Sequence, residues 1–186
     1  MTSRTRVLAV GAAAALFSAA LVIGLWFAPA ARHVAIVIRR PSPVTPVKQA
    51  VAAGPLNIAP FATVTVSSAG DDRGQAAGVA DGDVNASQWV TQDELQGAWI
   101  KLAWDRPAVV EQIDLYDRPG PAENILGGSL IFDDGAMIPV PKLPPDGAPW
   151  RTRFPPKHVH WVMFRIDAAQ GRTTGLAEIM VFGGLQ

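Results

Sequence analysis

From Asn57 onward the chain keeps returning to one pattern: short runs in which apolar and polar residues alternate, cut off by Gly, Pro, Asp or Asn. Alternation puts every second side chain on the same face of an extended strand, whereas an amphipathic helix needs spacings of three and four. The clearest runs are ATVTVSS, AWIKLAW, VVEQIDLY, GSLIFDD, WVMFRID and AEIMVFG. In AWIKLAW the residues Ile100, Leu102 and Trp104 share a face; Ile113 and Leu115 oppose Gln112, Asp114 and Tyr116; Val162, Phe164 and Ile166 oppose Met163 and Arg165. One buried and one solvated face is the signature of stacked antiparallel sheets. Asp134-Gly135 inside LIFDDGAMIPV predicts a hairpin, and Asp81-Gly82 and Asp146-Gly147 predict further turns. Pro119, Pro121, Pro139, Pro141, Pro144, Pro145, Pro155 and Pro156 confine many segments to loops and edges and leave no room for a long helix. The pattern predicts an all-β domain, a jelly-roll β-sandwich, over residues 57–186.

The first fifty residues are built differently. After a short basic stretch, 1–6, the run from Val7 to Ala28 carries no charge. At about 1.5 Å per residue it is long enough to cross a hydrocarbon layer of about 30 Å as a helix. Its length, and Trp26 near its end, favour a retained transmembrane anchor; Ala28, Ala30 and Ala31 offer the alternative of a cleaved signal. Arg4 and Arg6 precede the run and Arg32, Arg39, Arg40 and Lys48 follow it, so a literal charge count would keep the domain inside. A short basic start before a first apolar segment is also the ordinary form of an export signal, and the expected location is a single-pass bacterial membrane protein with its C-terminal domain extracytoplasmic. If the segment is cleaved, the domain is secreted. Residues 29–56, with Pro41, Pro43, Pro46 and Pro55, read as an extended linker.

The zero net charge conceals an asymmetry. Residues 1–50 hold six basic groups and no acid, which leaves ten basic against all sixteen acidic residues in the remainder. An acidic domain without a basic stripe repels nucleic-acid backbones, so nucleic acid is an unsuitable partner. The absence of cysteine removes disulfides and thiolate metal sites.

In order along the chain, NIAPFATVTVSS, AAGVADGDVNASQWVT, GAWIKLAWDRP, IDLYDRPGPAENILGGSLIFDDG and GLAEIMVFG resemble the discoidin-like group, also called coagulation factor V/VIII type C or galactose-binding-like domains. The resemblance spans Asn57 to Gly183. The LYDRP and LIFDDG pair, with LPPDG and GLAEI behind it, is similar to a bacterial subgroup of uncharacterised function often appended to deacetylases and glycoside-active enzymes. It implies recognition of sugars, lipid headgroups or proteins through loops at one end of the sandwich. It also implies one structural calcium ion between the first long loop and the last strand, at Asp81 and Glu178 with Asp83, Asn85 and Ser87 nearby. The competing reading makes Asp81 a turn former and Glu178 a cap on a backbone amide.

Among the tryptophans, Trp89 and Trp104 match core positions of the family. Trp99 and Trp161 have solvent-face parity, and Trp150 follows DGAP in a loop or edge, so these three are the candidate apolar platforms for a ligand. Gln92, Asp93, Glu94, Asn124 and Arg118 add polar candidates. Asp117 shares the parity of Ile113 and Leu115, and burial there calls for an ion pair or an amide contact. His158 and His160 share a strand face but no third ligand accompanies them, so they read as surface residues. No nucleophile with a base, phosphate loop or metal motif is present. The expectation is a non-catalytic, membrane-tethered extracytoplasmic module that recognises cell-envelope or environmental carbohydrate. The alternative is a structural or protein-interaction domain with an envelope protein as partner.

Overall fold

The computed structural model describes residues 36–37, 55–70, 75–120 and 122–186. The expected anchor, 7–28, the basic start and most of the linker lie outside the described residues; among those described, no helix is long and apolar enough to cross a membrane. The fold is all-β. Its strands are β1 (Ile36–Val37), β2 (Leu56–Asn57), β3 (Thr63–Val66), β4 (Trp99–Asp117), β5 (Asn124–Phe132), β6 (Met137–Val140), β7 (Pro149–Gln170) and β8 (Leu176–Leu185). Two short 3-10 segments, Ala59–Phe61 and Gln75–Ala80, complete it.

Two strands are long, β4 with 19 residues and β7 with 22, and each serves two arms of one folded sheet. The first half of β4 pairs with β3 and with the second half of β7, which continues the sheet to β5 and β6. The second half of β4 pairs with β8 and with the first half of β7, and β2 adds to β8. Every pairing is antiparallel. The sequence reading separates AWIKLAW from VVEQIDLY at Asp105-Arg106-Pro107, but β4 runs through that stretch, and β7 likewise runs through Pro155-Pro156. Prolines are tolerated there because the register breaks at these points: 104–107 and 154–156 have no partner in the β4–β7 ladder, so no ladder hydrogen bond is lost.

The core lies between the arms. Ile100, Leu102, Ile113, Leu115, Val162, Phe164 and Ile166 all point into it with Trp89 and Trp104, as the alternation predicts. The hairpin also forms as predicted: Ile131 opposes Met137, and Gly135 takes the positive φ of 82° that closes the turn. One face departs from expectation. Gln112 and Asp114, expected in solvent, are buried on the outer side of the second arm. The Asp114 carboxylate is held there by Arg151, whose Nε donates to Oδ1 and Oδ2 at 2.9 and 3.0 Å and whose Nη2 donates to Oδ2 at 2.7 Å, and by the Gln112 amide at 2.9 Å. Saturation of this kind offsets the cost of withdrawing a carboxylate from water.

Ile36 and Val37, within the segment read as linker, pair with Val66 and Thr65 and extend the first arm by one edge strand.

Candidate functional site

Strand ends gather at one pole of the domain, where β4 ends, β5 and β8 begin, and residues 75–98 cross. Asp117 turns the chain out of β4: Oδ1 accepts the Arg118 amide at 2.9 Å and Oδ2 accepts the Ile125 amide at 3.0 Å. Its burial is thus resolved by amide contacts, one of the two expected solutions, and Arg118 is left to reach elsewhere. Asn124 is also structural, donating through Nδ2 to the Gly120 and Glu123 carbonyls. The loop at 171–175 lies against its neighbours so closely that a Cβ on Gly175 would stand 1.9 Å from the Trp89 carbonyl oxygen. Backbone bonds from Trp89 to Leu176 and from Thr91 to Thr174 fix that contact.

Arg118 ties three of these segments together. Its Nε donates to Gln88 Oε1 at 2.7 Å and its Nη1 to Glu123 Oε2 at 2.9 Å and Thr173 Oγ1 at 3.3 Å. Burial alone would raise the Glu123 carboxyl, but the Thr173 hydroxyl and the Arg118 charge outweigh it and hold the group below the usual carboxylate range. Next to this clamp lies an open recess of about 210 Å³ formed by the 84–88 run, Pro119 and Ala177. Asn85, Ser87 and Gln88 are among its lining residues, Gln88 being held by Arg118, and among the described residues no aromatic ring lines it. Such a polar surface suits a small polar ligand.

The calcium candidates lie at the same pole. Glu178, on β8, is completely buried beneath the 78–83 turn; Oε1 accepts the Gly82 amide at 3.1 Å, while Oε2 finds no partner among the described residues. Burial, reinforced by the nearby Asp81 and Asp83 charges and only partly offset by the Gly82 amide, pushes its carboxyl up to about 8. Asp81 Oδ1 accepts the Asp83 amide and Asp83 Oδ1 accepts the Asn85 amide, so both also act as turn formers. An orphaned buried carboxylate oxygen within the electrostatic reach of Asp81 and Asp83 is chemically suited to a hard cation. Among the described residues no three acidic or imidazole side chains converge into a complete site, so an ion here would need backbone carbonyls or water as well.

The other candidates disperse. Glu94 accepts the Ser67 and Ser68 hydroxyls at 2.6 and 2.7 Å, which commits it to the loop's own framework, while Gln92 and Asp93 are exposed. Trp99 and Trp161 sit half-buried on the outer face of the first arm, where Lys101 Nζ lies 5.2 Å from the Trp161 ring centre. Trp150 is on β7, opposite Leu115, and packs half-buried against the core. Trp99 and Trp161 thus share one face, and Trp150 stands apart from them. His158 and His160 are exposed. Sequence reasoning missed Gln88, Glu123 and Thr173; only the charge of Glu123, five positions after Arg118, hinted at the clamp.

Comparison with solved structures shows the fold, a β-sandwich similar to that of several carbohydrate-binding modules and a fucolectin. The family 32 carbohydrate-binding module of Clostridium perfringens NanJ, solved with galactose, is 17% identical, with a TM-score of 0.54 over 65% of this chain and 93% of that one. A fucose-binding module of Streptococcus pneumoniae is 21% identical (TM-score 0.58; 72% and 99% covered), and a chitosan-binding module from a Paenibacillus sp. IK-5 chitosanase/glucanase is 18% identical (0.56; 69% and 99%). The chain belongs to the family described as "Domain of unknown function (DUF7402)", matched over residues 57–182. No curated protein sequence matches it.

Proposed function

We propose that this domain is a non-catalytic carbohydrate-recognition module whose sugar-binding surface is the loop pole around Arg118. The observation that carries the reading is the Arg118 clamp, which fixes Gln88 at the rim of a polar recess at the end of the sandwich. A guanidinium already bound to its neighbours loses little entropy when the surface engages hydroxyl groups. Support comes from the fold's company, structures solved with galactose or described as binding fucose or chitosan. The remaining elements of the proposal are a calcium ion held by Glu178 and Asp81, with Asp83 and Asn85 in the surrounding turn, and tethering of the domain outside the cytoplasm through 7–28. The ligand is then a glycan of the envelope or of the surroundings. Binding of the full chain to a glycan array, repeated with Arg118→Ala, tests the recognition surface; fractionation of the full chain after alkaline extraction tests the anchor.

A structural or protein-interaction role has one observation in its favour. The outer face of the first arm carries Trp161, Met163 and Ile131 next to the exposed Met137. Sugar-independent co-purification of one envelope protein, lost on Trp161→Ala, would select it.

A further inference from the structure

A second recess lies on the outer side of the other arm, away from the loop pole. It is formed by Pro55, Glu111, Gln112, Arg153 and Phe154 and encloses about 340 Å³, at the low end of the roughly 300–1,000 Å³ typical of small-ligand clefts. Its floor is a β-bulge. In the β4–β8 ladder Val110 opposes Gly183 and Gln112 opposes Phe182, so Glu111 is the extra residue. Both strands are shaped for this: a Cβ on Gly183 would fall 1.8 Å from the Val109 carbonyl oxygen. Bulges re-aim side chains and are common beside binding sites.

Its polar groups are prearranged from beneath. Asp114, fully buried, accepts the Gln112 amide at 2.9 Å; Gln112 Oε1 in turn accepts Arg153 Nε at 2.7 Å. Asp114 spends its charge on Arg151, whereas Arg153 is held by a neutral amide. Its Nη1 and Nη2 meet no acceptor among the described residues, and no ion pair joins it to Glu111, although both line the recess. The recess thus presents an oriented set of donors and a carboxylate acceptor with no net charge between them, beside the apolar edges of Pro55 and Phe154. A strongly anionic ligand would meet Glu111 and a cationic one Arg153. A neutral ring with adjacent hydroxyls satisfies both, one hydroxyl accepting from the guanidinium and the next donating to the carboxylate.

We propose that the Glu111–Gln112–Arg153 recess is a second saccharide subsite, one that takes a neutral sugar ring by its vicinal hydroxyls. This rests on the carbohydrate-recognition reading but concerns a surface separate from the loop pole. The test is a titration of the full chain in detergent micelles with methyl galactoside and, separately, L-fucose, followed by NMR at the Gln112 side-chain amide and the Arg153 Nε–H, in wild type, Arg118→Ala and Arg153→Ala. The expected result is saturable movement of the Gln112 and Arg153 signals in both wild type and Arg118→Ala. Affinity at the Gln112 signal falls at least about tenfold in Arg153→Ala, with Arg153→Lys failing to restore it because the planar fork is lost. Sugar-dependent shifts confined to the Gln88 and Asn85 signals would overturn the second subsite and leave the loop-pole reading standing. Shifts at neither surface, with either sugar, would overturn both.

Discussion

Asp117 and Glu178 are two buried carboxylates, both pushed up by burial, that differ in how fully they are hydrogen-bonded. Asp117 answers its burial with two backbone amides, so Asp117→Ala leaves the buried Ile125 N–H unpaired and should cost about 2–3 kcal/mol in a urea titration. Glu178 is only half answered, and its folded-state carboxyl lies near 8, above the ordinary 4.5. The folded protein therefore binds this proton more tightly than the unfolded chain. The resulting stability is fully present below pH 4.5 and is lost as pH rises through 8. In chelator, the melting temperature should fall across that window; calcium, by compensating the ionised carboxylate, should flatten the slope. Glu178→Gln should remove both the slope and the calcium response. A calcium response that survived the substitution would place the ion elsewhere. At this scale the sequence is informative where a residue serves the core, as parity placed Ile113, Leu115 and Phe164. It is poor where contacts are non-local, since Arg118 meets Gln88 and Thr173 across 30 and 55 residues.

The strands β4 and β7 set the architecture because each belongs to both arms. Proline and turn-former statistics cannot reveal such a strand, since they register the breaks at 105–107 and 155–156 but not that the chain stays extended through them. The hidden burial of Gln112 and Asp114 has a related cause: alternation says which residues share a face, but not that arginines on β7 will cover the outer one. The bulge at Glu111 gives a test of this level. Gly183→Ala forces a Cβ onto the Val109 carbonyl, and should destabilise the domain by about 3 kcal/mol or more, whereas Gly184→Ala, with open space around it, should be nearly silent in the same thermal or chemical unfolding experiment.

For the whole molecule, the acidic balance of the domain bears on the class of ligand proposed for it. Neutral glycans carry no charge to be repelled, and a rigid sandwich offers surfaces that bind without closing. The sequence was sufficient for the fold class because period-two patterning and turn chemistry agree along 57–186. One-dimensional parity cannot say that Trp99 and Trp161 stand on one outer face while Trp150, at the other end of β7, packs against the core. The central claim concerns the Arg118 pole, and the most direct measurement is the affinity of the full chain for its best array glycan, wild type against Arg118→Ala. A loss of about tenfold or more, with an unchanged unfolding midpoint, is the result this account requires. Equal affinity in the two proteins would contradict it.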